Sequence, residues 1–395
     1  MWPVARKGGT GDENCTGTEL YMADNSTTNQ YTVLHLGKFY PPHNGGIETH
    51  LRYLAVQEAR HANVNVLVAN TVCRNEHSIL EGVKVKRVAR WGTVASMPIC
   101  PGLTQAIRRS SADLVHMHVP NPGAAFSFLS SGHRGKLAIT HHADTMGRET
   151  LRRLSDRFVR AAMERASVII ATSHRYLDSS PELAPYREKC RVIPLGINVD
   201  PLIEGEHRIE EATDSGERPS ILAIGRLVPY KGFDVLIRAM DHVDANLTLI
   251  GTGPQAPQLQ ALIDTKGLQK RIRLLGRVDD LRPYFKAASA FVMPSVTRAE
   301  AFGIVQIEAM AAGLPVINTD IDSGVPEVSL DGKTGLTVTP GDEYALAEAI
   351  QLLLSRSDLR EQFGRAAKER VLREFTADRM VERTIAVYAE VLSEH

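Results

Sequence analysis

Neither sign of charge is in excess in this chain. Lys and Arg number 46 and so do Asp and Glu, so the basic surplus of a nucleic-acid-coating protein is missing and no nucleic-acid partner is expected. Cysteine is scarce: Cys15, Cys73, Cys100 and Cys190 stand far apart with no C-x-x-C spacing, which argues against a disulfide framework and a structural zinc site. Long apolar runs are also lacking. None approaches the ~20 residues of a membrane-spanning helix, and the first residues do not carry the apolar stretch of a secretory signal. A cytoplasmic protein is expected, and the glycosylation tripeptides at Asn14, Asn25 and Asn246 read as chance.

What is present fits a folded enzyme, with 43% hydrophobic and 23% charged residues. At roughly 150 residues per domain, 395 residues suggest two domains or three, and two is the working number. Residues 1–30 are polar and Gly-containing, and a disordered tail is expected there. From Tyr31 to Asn198 short apolar runs (YTVLHLG, NVNVLVAN, DLVHMHV, KLAIT, SVIIATS, RVIPLG) alternate with helical patterns, which predicts an α/β domain with a parallel sheet. An acidic stretch without period, residues 199–218, reads as a linker. A second alternating series over 219–374 predicts a second doubly wound domain, and 375–395 a terminal helix. Such a tandem leaves a cleft, with ligands beyond the carboxyl ends of the strands.

The post-strand segments therefore carry the search. Gly45-Gly46 opens a helix, where free N–H groups suit an anion, although a tight turn alone explains a Gly pair. Arg226 and Lys231 in "GRLVPYKG" follow a strand directly and suit a diphosphate; the alternative is a solvated basic loop. "GTGPQA", residues 251–256, satisfies a dinucleotide fingerprint, but Arg277 ends the next strand where that fingerprint wants an acid. Gly251 and Gly253 are read as room for a phosphate or sugar. Asp320 and Asp322 match a metal-holding D-x-D pair, yet a loop reading is preferred. His116 and His118 share one face of a strand, and "THHAD" adds His141, His142 and Asp144 after the next. His142 with Asp144 can hydrogen-bond sugar hydroxyls and polarise an acceptor. "EAFGIVQIE" places Glu300 in a loop and Glu308 two turns into the following helix; capping accounts for Glu300 but not for a charged Glu308 among Ile307, Ala309 and Met310.

Together, "GGIE", "HAD", "GRLVPYKG", "GTGP", the E-x7-E pair Glu300 and Glu308, and "SGVPE" resemble the retaining glycosyltransferases of family 4, from about Tyr31 to the C-terminus. The resemblance implies the GT-B fold, two facing Rossmann-like domains, with the terminal helix crossing back to the first. It implies that Arg226 and Lys231 neutralise a donor diphosphate, that Glu308 binds the nucleotide ribose, and that Glu300 and the backbone of Phe302, Gly303 and Ile304 hold the sugar. Gly45, Gly46 and Gly253 would border the phosphates, the backbone near Arg277 and Val278 the base, and His142 the sugar near its reacting carbon. No cofactor or catalytic metal is implied; the nucleotide sugar is a substrate. "HHADTMGR" and "SSPELAPYREKCRVIPLGIN" look closest to members that move mannose from GDP-mannose to lipid-linked sugars of surface polysaccharides. Residues 148–165 carry six Arg against three acids, so a peripheral contact with the inner face of the membrane is one expectation and a solvated helix face the other. Three rivals stay open: a sugar nucleotide epimerase of the same fold, a nicotinamide oxidoreductase, and a non-catalytic nucleotide-sugar sensor.

Overall fold

The stretch Leu114–Val119 reads LVHMHV and is buried at every position, the pattern of a strand with parallel neighbours on both edges and helices over both faces. It pairs with Thr32–Leu36 on one side and Lys136–His141 on the other. The computed structural model describes residues 31–43, 45–94, 97–144, 149–203 and 218–394, without the side chains of 149–155. The expected tail at 1–30, most of the linker, Cys15 and the tripeptides at Asn14 and Asn25 lie outside the described residues.

The first sheet runs in the order Cys190–Val192, Val168–Ala171, Lys136–His141, Leu114–Val119, Thr32–Leu36, Asn63–Ala69, Val83–Val88, Glu76–Leu80. All are parallel except the edge strand Glu76–Leu80. The second sheet runs Ile272–Leu275, Asn246–Ile250, Ser220–Ile224, Ala290–Val292, Val316–Thr319, Gly335–Val338, wholly parallel. Numbered within the second domain, that order is 3-2-1-4-5-6, the doubly wound arrangement whose switch point lies between its first and fourth strands. Each sheet reverses its direction of winding at one place: between Thr32–Leu36 and Leu114–Val119 in the first, between Ser220–Ile224 and Ala290–Val292 in the second. Ligands of such sheets bind beyond those strand ends.

Local signals set the helices that frame these points. Asn121 accepts a bond from the Ala124 N–H and starts Pro122–Ser131, which stops at Gly132 with φ 70°. Thr376 caps Ala377–Ser393, a helix whose Met380, Val381, Val387, Tyr388 and Val391 pack on Val33, Leu114, Ala138 and Ile170 of the first sheet. The chain thus passes between the two sheets twice, near 199 and near 376. The passages touch: Ile197 and Phe375 share an N–H to O bond of 3.0 Å, and Ala377 donates back to Ile197 at 2.8 Å. No helix among the described residues is long and apolar enough to cross a membrane.

Candidate active site

At the second switch point the two post-strand loops are closed onto each other. Gly232, with φ 66°, ends the first loop, and a Cβ there would lie 2.0 Å from the Pro294 carbonyl oxygen, so only glycine permits the approach. Val296 N–H donates to the Tyr230 carbonyl at 2.8 Å. This brings Lys231 Nζ onto Glu300 Oε2 as an ion pair, with the residues 9% and 8% exposed. Ser295 Oγ reaches the same Glu300 oxygen at 3.4 Å. A cation and an acid expected to serve different ends of a ligand are therefore in direct contact. Arg226, in the same loop, is exposed. It faces Lys38, which follows the first strand of the other sheet: burial lowers the Lys38 pKa, Glu48 opposes that, and the Arg226 charge adds to it.

Glu300 and Glu308 sit in opposite electrostatic settings. Gly303 takes φ 75° to turn from the loop into the helix Ile304–Ala311, and Glu308 follows one turn later, not two as expected, with no ion-pair partner among the described residues. Burial alone pushes its carboxyl up to about 7. Tyr53, on the helix Gly46–Glu58 of the first domain, feels it: burial raises its phenol and the Glu308 charge adds to the rise. A Cβ on Gly46 would lie 3.9 Å from Ile304 Cδ1, so the N-termini of the two helices face one another. At Gly45 a Cβ would lie 2.3 Å from Glu48 Oε2; the carboxylate of Glu48 folds over its own helix start, where the dipole favours it. Phe302 is 4% exposed and packs edge-on against Phe375, which leaves its backbone, not its ring, to meet a ligand.

Two expectations are corrected. On the side a Cβ would take, Gly251 and Gly253 leave no room for a phosphate: a Cβ on Gly251 would lie 1.8 Å from the Gly225 carbonyl oxygen, and one on Gly253 would lie 2.4 Å from that of Leu227. Those glycines let two post-strand loops touch, and a ligand there would meet their backbone. Asp144 is likewise occupied. One oxygen accepts from Tyr176 at 3.2 Å and from Ser180, and the other meets Arg298 of the second domain at 2.6 Å, which makes it a strut between the halves. Asp320 and Asp322, read as loop residues, hold Arg175 at 2.6 and 3.3 Å, and Glu327 accepts the backbone N–H groups of His174 (3.1 Å) and Arg175. Arg277 is exposed and reaches Asp279 at 3.2 Å, while Val278 packs on the core of the second domain.

Behind His142 lies a group that the sequence reading found only in part. His141 turns away, bonded to Tyr176 at 2.9 Å and Glu182 at 3.2 Å. His142 instead joins His35, His50, His116 and His118, all buried. Burial holds His118 and His142 well below the ordinary imidazole range and His50 down to about 3. Neutral imidazoles are metal ligands, and the ring nitrogens of His50, His118 and His142 lie within 4.8 Å of one another, as do those of His35, His116 and His118. His35, His50 and Glu58 were missed. His35 is opposite His116 across the strand pair, a partnership that sheet order shows and a linear pattern does not.

Two family models match, one described as Glycosyltransferase Family 4 over residues 44–201 and one as Glycosyl transferases group 1 over 206–370. The chain is 31% identical to a phosphatidyl-myo-inositol mannosyltransferase of Mycobacterium leprae, covering 83% of this chain and 89% of that protein. It is 31% identical to the D-rhamnosyltransferase WbpZ of Pseudomonas aeruginosa over 68% of this chain and 71% of that one. An O-antigen chain mannosyltransferase C of Escherichia coli is 25% identical over 91% and 98%. Among solved structures, sucrose-phosphate synthase from Thermosynechococcus elongatus superposes with a TM-score of 0.75 at 22% identity, covering 93% of this chain and all (100%) of that one. Anabaena Alr3699/HepE in complex with UDP and glucose gives 0.73 at 19% identity over 90% and 99%. Both share the two-domain GT-B fold.

Proposed function

This chain is a transferase that belongs to the family 4 glycosyltransferases, the glycosyl transferases group 1, and from that premise we propose that it moves mannose from GDP-mannose to a lipid-linked sugar with the anomeric configuration kept. The observation that carries the reading is the buried Lys231–Glu300 pair at the second switch point, with His142 at the end of the first sheet's strand Lys136–His141. In this reading Lys231 and Arg226 take up the charge that develops on the leaving diphosphate. A preorganised cation costs no reorganisation when that charge appears, which is the usual main contribution to such a barrier. Glu300 orients Lys231 and holds the sugar hydroxyls, aided by the N–H groups of Gly303 and Ile304. Glu308 takes the ribose, Gly45 and Gly46 close on the phosphates, Gly253 offers backbone only, and the chain at Arg277 and Val278 borders the base. His142 contacts the sugar. The donor phosphate accepts the acceptor proton on the face the diphosphate leaves, with no protein nucleophile, and Arg226 and Lys231 do the work a catalytic metal would otherwise do.

The mannosyl name belongs to relatives at 25–31% identity. For a lipid-linked acceptor the first domain offers an apolar hollow of about 350 Å³ lined by Val94, Ile99, Phe126 and Phe158, with Arg157 over the Phe158 ring at 5.3 Å. Phe158 and Arg157 belong to the Arg-rich helix Glu149–Arg165, and an apolar hollow beside cations suits an isoprenoid chain under an anionic headgroup at the membrane face. The test is a panel of nucleotide sugars incubated with the purified protein in EDTA, with slow release of nucleotide as readout. GDP-mannose is expected to be hydrolysed fastest, unaffected by the chelator. Loss of activity in EDTA would remove the metal-free reading. Conversion of one nucleotide sugar into another without release would make the protein an epimerase.

A further inference from the structure

We propose that Glu58, His35 and His118 form a positioning relay behind His142, which fixes the nitrogen of that imidazole on which the proton sits. The proposal deepens the reading above and rests on it only in placing a sugar hydroxyl against His142.

The four side chains form an unbranched chain. Glu58 Oε2 is 2.7 Å from His35 Nε2, His35 Nδ1 is 3.2 Å from His118 Nε2, and His118 Nδ1 is 3.1 Å from His142 Nε2. Exposure is 0% for Glu58 and His35, 1% for His118 and 6% for His142, so water does not compete for the links. Each ring gives one nitrogen to the link before it and one to the link after it. A neutral imidazole has one donor nitrogen and one acceptor nitrogen, so all the protons in the chain must point the same way. The end group sets which way. A carboxylate only accepts, so a neutral His35 carries its proton on Nε2 and offers a bare Nδ1 to His118. His118 then donates from Nε2 and offers a bare Nδ1 to His142, and His142 donates from Nε2. The nitrogen left over, His142 Nδ1, is a hydrogen-bond acceptor for a sugar hydroxyl.

The surroundings act on His118 and His142 from every side. His50, from the same helix as Glu58, turns its ring edge to His118 and His142, with centroids at 5.5 and 4.8 Å. His116 stacks on His118 at 4.5 Å and spends its own nitrogens on Tyr388 and, at 2.7 Å, Thr140. Tyr31 and Tyr388 lie near enough to Glu58 for its charge to add to the rise that burial causes in their phenols. His141 is next in sequence and bonds elsewhere. Burial and mutual repulsion disfavour a second proton on His118 or His142. The chain is thus a directional device: the acid sits at its far end, with seven strands and two helices of the described residues between it and the imidazole it directs.

Glu58→Gln keeps the shape and removes the direction, because an amide can donate or accept. The first measurement needs no variant and no substrate: ring-nitrogen NMR of the full chain labelled with 15N-histidine, His142 being assigned by its loss in His142→Gln. The unmodified protein should show His142 neutral, protonated at Nε2 and bare at Nδ1, and Glu58→Gln should show both tautomers. In turnover, Glu58→Gln should lower kcat by about tenfold or more, the effect of removing an outer partner of a working imidazole, with a smaller change in donor KM. Its acid limb should also move to lower pH, since the negative charge that favours a protonated chain is gone; a purely structural role would not move that limb. The relay is overturned if His142 in the unmodified protein is protonated at Nδ1, or if Glu58→Gln leaves the His142 signals or the pH profile unchanged. It is also overturned if added Zn²⁺ binds one to one and shifts His50, His118 and His142 together, which would make the group a metal site. If the expected spectra appear but no nucleotide sugar is turned over, the functional reading fails and the relay stands.

Discussion

Glu308 is the residue whose charge state decides most. Its carboxyl has an ordinary value of 4.5 and is pushed up to about 7 by burial, so the folded protein binds its proton more tightly than the unfolded chain does. Stability attached to this group is therefore present below pH 4.5 and is lost as pH rises through about 7. The full shift corresponds to at most about 3 kcal/mol, and partial contact with water reduces the expected effect to on the order of 1–2 kcal/mol. Glu308→Gln should raise the unfolding free energy at pH 8 by that amount. The same substitution should raise donor KM roughly ten- to a hundredfold, because a hydrogen bond to a charged acceptor is worth about 1.5–3 kcal/mol. In the unmodified protein donor binding should weaken as pH falls below about 7, and calorimetry in buffers of different ionisation enthalpy should detect a proton released on binding. A KM that does not depend on pH between 6 and 8, on the order of one unit either side of that value, would remove Glu308 from the donor site.

At the scale of elements, the turn at Gly303 sets where the helix Ile304–Ala311 begins. The left-handed φ of 75° costs a residue with a side chain about 1–2 kcal/mol. A Cβ would lie 2.6 Å from Met293 Cε and 2.7 Å from its Sδ, but these are the far atoms of a flexible side chain and can yield. Gly303→Ala should thus cost about 1–2 kcal/mol in unfolding free energy and, by turning the first N–H groups of the helix, should raise donor KM by more than that loss predicts. An equal KM would show that this terminus does not meet the donor. The elements were largely legible in the sequence because parallel strands such as VIIA at Val168–Ala171 are apolar at every position and end at turn residues. Val83–Val88 was not, since VKVKRV is half exposed and reads as polar. The candidate site could be picked out where charged residues follow a strand directly, as at Lys231 and Glu300, which the fold brings together. It was illegible where partners come from different strands or from a helix. His35 meets His118 only because Thr32–Leu36 lies beside Leu114–Val119, and Glu58 reaches His35 from the last turn of the helix Gly46–Glu58; no spacing in the chain encodes the joining of the three. The glycines of "GTGPQA" misled for a related reason: a residue without a side chain makes room equally well for a ligand or for a neighbouring loop.

For the whole molecule, the two domains are joined by two kinds of contact with different physics. Where the chain crosses, the fit is rigid: a Cβ on Gly196 would lie 2.3 Å from the Thr376 carbonyl oxygen, backbone that cannot yield. At the rim of the cleft the contacts are ionic. Arg175 spans Asp320 and Asp322, with side-chain exposures of 33%, 59% and 74%, and Arg298 meets Asp144 at 2.6 Å. Ion pairs this exposed contribute about 0–1 kcal/mol to folding, yet a difference of that size is enough to shift the balance between an open and a closed cleft. Arg175→Ala should leave the unfolding free energy within about 1 kcal/mol of the unmodified protein, while increasing the radius of gyration in solution scattering and raising donor KM. Added salt should do the same to the unmodified protein and less to the variant, which has lost the Arg175 pairs and keeps, of these two rim contacts, only the Arg298–Asp144 pair for screening to act on. Gly196→Ala should behave oppositely, with a clear loss of folding stability and no salt dependence. If Arg175→Ala instead unfolds the protein or leaves both scattering and KM untouched, the rim pairs are not a latch and the cleft is held by its apolar contacts alone.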